Sequence, residues 1–451
     1  MRRWILFLIA AIVAQFAMHF AVADTTVFVN VNVIPMTSEQ VLTQQTVIVK
    51  NGVVATIGTV DTVPVPEGVI VVDGTDRYLM PGLAEMHAHV PGANSTELDR
   101  YFALFVANGV TTVRGMLGQP SHLRLRDELL SGDVFGPRLI TSGPSLNGRS
   151  VTGAADGVRQ AREQQAAGYD FLKIHPGLSA KEFAAIADTA NELGIPFAGH
   201  VPAAVGLSNA IASGIATIDH LDGYMAALMP SNFDPSGGYG GFFDILLADQ
   251  VNTDRIATLA AETAKAGVWN VPTQSLIEQL VNEVSVTELR DRTDMRYMPA
   301  AAVDRWIAAK EAQQAERGFS PEVAAEAIRI RRALILALHE AGGRILLGSD
   351  APQIFNVPGF SLHNELEFLV ASGLTPFEAL QAGTVNVAEF LNLDTGAVEI
   401  GRQADLVLLD ANPLEAIGNS RRIHGVMVRG AWYSSHDIER RLSPYRQPSN
   451  P

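Results

Sequence analysis

Eight short apolar runs between residues 81 and 394 most constrain this chain, each followed by polar or Gly/Pro residues. They end near His87-Ala88-His89, Arg114, Ser142, Lys173, His200, His220, Thr273 and Asp350. Most of the stretches between them carry helical spacing, as at 180–193 and 323–340. Strands alternating with helices predict a parallel sheet, and eight such units predict a closed (β/α)₈ TIM-type barrel. An open doubly wound sheet is the alternative. It usually carries a glycine-rich nucleotide loop after its first strand, and none follows here.

The two chain ends read differently. Val27 to Ile34 alternates in the manner of a strand. Thr46 to Lys50, the pair Asn51-Gly52 and Val53 to Ile57 read as strand, tight turn and strand. Residues 404–409 and 425–430 are similar apolar runs near the other terminus. Chain termini often lie close together, so both ends are expected to build one small β-sandwich domain. It would comprise residues 24–80 and 395–451, flanking a barrel at 81–394.

The first 23 residues have the layout of a secretory signal peptide. Arg2 and Arg3 open it, a mostly apolar core follows, and Ala21-Val22-Ala23 is an A-x-A site with cleavage between Ala23 and Asp24. An uncleaved membrane anchor is the rival reading. Cleavage implies a secreted, periplasmic protein without stable membrane insertion. The chain has no cysteine, which excludes disulfides, thiolate ligands and a lipidated cysteine. Its net charge of −15 argues against binding nucleic acid. At 47% hydrophobic and 18% charged residues it is a packed globular chain.

The chemistry gathers at the strand ends. His87 and His89 are two apart, so on a strand both side chains face one way and can address one metal ion. Alone, such a pair is weak. Lys173, His200, His220 and Asp350 stand at the ends of four other apolar runs. The C-terminal ends of barrel strands converge on one mouth, so all six would share a site.

This set, in this order, resembles the amidohydrolase superfamily in its two-metal form with a carboxylated lysine. Within it the chain is similar to the imidazolonepropionase-like and Xaa-Pro dipeptidase-like branch. Segments 109–114, 136–143, 374–380 and 401–408 add to the likeness, which spans essentially all of the chain beyond the signal. The resemblance implies that His87, His89 and Asp350 bind the more buried of two divalent ions, and His200 and His220 the second. Lys173, carrying a CO₂-derived carboxylate, would bridge both. Zinc is favoured by the histidine-rich set, with manganese or cobalt as alternatives. The implied reaction is hydrolysis of amide or peptide C–N bonds by a metal-bridging hydroxide, with Asp350 passing its proton to the leaving nitrogen.

The implied substrates are small, of the dipeptide or N-acyl amino acid type. Arg114, Arg149, Tyr224 and Thr273, at or just after strand ends, are candidates to hold a substrate carboxylate or carbonyl. His175 is a candidate to support the metal ligands. Asp219 is expected to point into the barrel wall or helix layer. His363 is expected to open the helix after the last strand, and His122, His339, His424 and His436 to lie at the surface. Dipeptidase-like relatives often carry a histidine in the loop after the third strand, and residues 143–150 contain none. Lactone or ester hydrolysis by the same metals is one alternative. A one-metal deaminase or cyclic-amide hydrolase is another, against which Lys173 counts. A non-catalytic binding protein on the same barrel is the third, and a homo-oligomer is compatible with all of them.

Overall fold

The protein was analysed as a computed structural model that describes residues 25–230 and 240–447. The signal peptide and its cleavage point before Asp24 lie outside the described residues. Both chain ends contribute to a single eight-stranded sheet. Its strands are β1 (Thr25–Val33), β2 (Leu42–Lys50), β3 (Val53–Thr59), β4 (Ile70–Asp73), β5 (Tyr78–Pro81), β14 (Leu406–Leu409), β15 (Ile423–Val428) and β16 (Ala431–Ser434). The N-terminal strand β5 pairs antiparallel with the C-terminal β14, placing Met80 opposite Val407. The β2–β3 turn is Asn51-Gly52, both at positive φ (53° and 76°), the backbone that a tight two-residue hairpin demands.

The sheet also curls. Its β3 edge meets the segment before β14 through an isolated Val53–Gln403 bridge and the Ala404 N to Gly52 O hydrogen bond of 2.8 Å. Phe28, Val31, Val47, Leu79, Leu406 and Met427 pack inside. One hydrogen-bonded sheet therefore stands where a sandwich of two was expected, because β14 adds directly onto β5.

The remaining strands are β6 (Leu83–Ala88), β7 (Val110–Gly115), β8 (Arg138–Thr141), β9 (Leu172–Ile174), β10 (Phe197–Gly199), β11 (Thr217–Asp219), β12 (Trp269–Val271) and β13 (Arg344–Ile345). They form two parallel sheets, β6-β7-β8 and β9-β10-β11-β12-β13. Every residue of β6, β7, β9, β10 and β11 is buried, as expected of parallel strands covered on both faces. Parallel bridges pair Ser142 with Phe171 and Leu146 with Ile174 between the two sheets. On the other flank, Asp350 N donates to His87 O at 2.9 Å and His89 N to Ala351 O at 2.8 Å. The last apolar run, expected as a strand to Asp350, is regular only over Arg344–Ile345 and continues as an irregular hydrogen-bonded segment.

Helices cover the parallel strands. Ala180–Leu193 starts at a capping box of Ser179 and Glu182, ends at left-handed Gly194, and buries Phe183 edge-on against Phe197. Gln274–Val281 is buried along its whole length. The Glu365 carboxylate accepts from the N–H groups of Gln274 and Ser275 at 2.9 and 2.6 Å. At its other end Lys310 Nζ donates to Gln279 O and Asn282 O, each at 2.8 Å. Both side chains thus satisfy backbone groups that the two helix ends leave free. His122 is buried rather than at the surface, its ring lying 3.0 Å from Pro91 O and 3.3 Å from Thr141 Oγ1.

Candidate metal centre

The centre sits beyond the C-terminal ends of β6, β9, β10 and β11 and beside the irregular run after β13. His87 Nε2 and His89 Nε2 both face Asp350 Oδ1, at 3.6 and 3.2 Å. From the other side His220 Nδ1 lies 3.6 Å from Asp350 Oδ2. Ligand atoms of His87, His220 and Asp350 all fall within 4.8 Å of one another. The His200 ring is 4.7 Å from that of His220, centre to centre, and the His87 ring is 4.5 Å from it.

Lys173 enters this cluster from β9. Its Nζ is buried without a hydrogen-bond partner among the described residues, and Asp219 Oδ2 lies 3.9 Å away. Room for it depends on Gly199. A Cβ there would stand 2.8 Å from Lys173 Cδ and 2.6 Å from Ile174 O, and the backbone φ of +123° suits only glycine. Asp350 Oδ1 is likewise buried and makes no aligned hydrogen bond among the described residues, although His89 Nε2 lies 3.2 Å away. A buried amine and a buried carboxylate oxygen without aligned hydrogen bonds, set amid imidazoles, are donors of the kind a divalent cation draws on. The donor set therefore fits divalent metal.

Burial sets the protonation. It holds His87, His200 and His220 well below the usual histidine range, keeping them as the neutral imidazoles that bind metals. Burial brings Lys173 down to about 8 against the opposing pull of Asp219. It raises Asp350 above the ordinary carboxylate range. Burial also pushes Asp219 upward, but the Arg114 and Lys173 charges outweigh it and leave that carboxylate below its usual value.

Each of three ligand candidates has its own support. Asp219 Oδ2 lies 2.9 Å from His87 Nδ1, Asp222 Oδ2 lies 3.0 Å from His200 Nδ1, and Thr273 Oγ1 lies 2.9 Å from His220 Nδ1. At His200 and His220 such partners fix the tautomer, and with it which ring nitrogen keeps its lone pair. Glu85 accepts from His87 N at 3.0 Å, Ser349 N at 2.8 Å and Ser349 Oγ, tying β6 to the Asp350 segment. Asp222 and Glu85 were missed from the sequence. Asp219 was assigned to the wall, yet it faces the centre.

The candidates for substrate contact separate. Arg114 is fully buried. Its three nitrogens donate to Met86 O at 2.7 Å, Thr217 Oγ1 at 3.2 Å and Asp219 Oδ1 at 3.2 Å, so it holds Asp219 and not a substrate carboxylate. Tyr224 is also fully buried, with its hydroxyl 2.9 Å from Asn270 Oδ1 and 3.1 Å from Thr263 Oγ1, away from the mouth. Thr273 is spent on His220. Arg149 alone is exposed, and it lines an opening shared with His175 and Asn147. The His175 ring stacks on His200 at 4.8 Å. A larger cavity of about 1070 Å³ begins at His200 and Asp222. There Phe243 stacks on the His220 ring at 4.6 Å. His363 lies inside the helix Phe360–Ala371, buried between Ser420 Oγ and Asn108 O.

The sequence matches the model of the amidohydrolase family over residues 78–433. It is 23% identical over 363 residues to an ochratoxinase of Aspergillus niger, covering 75% of this chain and 71% of that protein. Among solved structures, a bottromycin amidohydrolase superposes with a TM-score of 0.72 at 23% identity, covering 94% of this chain and 92% of that one. A Xaa-Pro dipeptidase with methionine bound in its active site gives 0.65 at 18% identity, covering 91% of this chain and 100% of that one. At these identities the structural likeness establishes a shared fold.

Proposed function

The chain belongs to the amidohydrolase family and is a hydrolase; on that premise we propose that it cleaves amide or peptide C–N bonds of small substrates, dipeptides or N-acyl amino acids, at a centre for two divalent metal ions. We read the two parallel sheets as one closed eight-strand barrel, supported by the Ser142–Phe171 bridge on one flank and the Asp350–His87 hydrogen bond on the other. We take the sheet of both chain ends as the second domain, within the expected bounds 24–80 and 395–451, of which residues 25–80 and 395–447 are described.

The observation that carries the reading is Lys173. A buried ammonium with no hydrogen-bond partner is costly, and one set among metal-binding imidazoles would repel cations. Carboxylated by CO₂, with loss of one amine proton, the same side chain would become an anionic oxygen donor. His87, His89 and Asp350 would hold one ion, His200 and His220 the other, and Lys173 would contribute to both. Two ions held there would supply an activated water and a Lewis acid for the scissile carbonyl. Asp350, buried beside His87, His89 and His220, is placed to take up a proton and return it to the leaving nitrogen. Asp219, Asp222 and Thr273 keep three imidazoles oriented. Arg149 at the rim is the group that meets a substrate carboxylate.

Elemental analysis together with a hydrolysis screen of dipeptides, N-acyl amino acids and lactones tests this. Close to two divalent ions per chain and turnover of a carboxylate-bearing amide are expected. Full activity in chelator with no bound metal overturns the metal reading. Rapid lactone cleavage with no amide turnover moves the assignment to esters.

A further inference from the structure

Arg331 belongs to the helix Pro321–Glu340, which packs outside the parallel strands, yet only 2% of its surface is exposed. Its guanidinium spans two loops. Nη1 donates to His220 O at 2.7 Å, Nη2 to Pro272 O at 2.8 Å, and Nε to Gln274 Oε1 at 2.9 Å. The same two loops meet again at the centre, through Thr273 Oγ1 and His220 Nδ1.

Both residues of that contact have left-handed backbone, with φ of 64° at His220 and 47° at Thr273. Side-chain-bearing residues hold such a backbone only when their surroundings impose it. Arg331 grips the carbonyl of His220 and the carbonyl just before Thr273. Glu365 grips the N–H just after Thr273. Thr273 is thus fixed from both sides, and its hydroxyl, 2.9 Å from His220 Nδ1, holds the rotation and tautomer of that ring. A planar fork holds two carbonyls at a set separation, which a single ammonium does not.

We propose that Arg331 is a positioning residue of the metal centre, setting from outside the strands the direction in which His220 presents its ligand nitrogen. The proposal rests on the reading of the site as a two-metal centre. It goes further in assigning one side chain of the outer helix layer control over one of the two ions.

The test is calorimetric titration of metal-stripped protein with Zn²⁺. Wild-type protein should take up two ions. Arg331→Met and Arg331→Lys should each bind one ion as wild type does and the other about 10–100-fold more weakly, the range found when partners of metal ligands are removed. Hydrolysis by both variants should recover as Zn²⁺ is raised. Thr273→Val, which removes only the hydroxyl contact, should weaken the same ion to a smaller degree. Wild-type affinity for both ions in Arg331→Lys overturns the proposal. If the Arg331 variants do not fold, unchanged affinity in Thr273→Val overturns it instead. Wild-type protein that binds no zinc overturns the metal reading itself, a different result from equal binding by wild type and variants.

Discussion

His87 stands between two carboxylates, with Asp219 Oδ2 2.9 Å from its Nδ1 and Asp350 Oδ1 3.6 Å from its Nε2. Asp219 also holds Arg114 and accepts from Thr217 Oγ1 at 2.8 Å. Asp219→Asn keeps the shape and removes the charge. Metal affinity should fall about 10–100-fold. Buried Arg114 loses its counter-charge, which should cost about 3–5 kcal/mol of stability. Metal titration and denaturant unfolding check the two effects. Wild-type values in both would make Asp219 a bystander.

Lys173→Ala should abolish hydrolysis and lower metal content, and acetate or propionate should restore part of the activity by filling the space of the lost carboxylate. Gly199→Ala should resemble it with the lysine still present, because the new methyl meets Lys173 Cδ and Ile174 O. Rate assays with and without added acid, alongside metal analysis, decide this. An active Lys173→Ala enzyme with normal metal content refutes the bridging role.

Arg149→Met should raise KM for substrates with a free carboxylate and leave neutral amides or esters unaffected. Arg149, unlike buried Arg114, is exposed at an opening. Paired kinetics on an N-acyl amino acid and its amide form the measurement. Equal loss on both substrates would mean a structural arginine.

Burial, with a smaller contribution from Arg421, brings His363 down from 6.5 to about 3. Its folded pKa lies below its unfolded one, so the unfolded chain takes up the proton first. Its contribution to stability is full above pH 6.5 and is lost as pH falls from there toward 3, at up to about 1.4 kcal/mol per pH unit. His363→Gln should reduce the steepness of acid destabilisation between those limits by about one proton. Unfolding free energies across that range measure it, and an unchanged slope refutes it.

How much was legible in the sequence differs by element. The period of two puts His87 and His89 on one side of β6 and its continuation, and both meet Asp350. The same rule failed at Asp219. Alternation turns it away from His220, but β11 ends at Asp219 and His220 takes a left-handed φ of 64°, which brings both residues to the centre. Nothing in the residue types announces that turn. Arg114 and Tyr224 were placed at the mouth because they follow strand ends. Which layer such a side chain enters is settled by partners more than 25 residues away, such as Met86 O for Arg114 and Asn270 for Tyr224. Glu85, Asp222, Arg331 and Glu365 act on backbone groups and imidazole nitrogens of other segments, so no local pattern marks them. The Asn-Gly hairpin was readable because its chemistry is local.

The pairing of β5 with β14 has a consequence for how the chain is made. Met80 and Val407 meet across 326 intervening residues, so no stretch synthesised early can complete that sheet. Contacts this distant in sequence are slow to form. Until the C-terminal strands emerge, β5 presents an open edge of unpaired N–H and C=O groups, the kind of template on which chains self-associate. Chains cut short before Leu406 would keep that edge permanently, and should collect as aggregates even where every residue of the centre is already in hand.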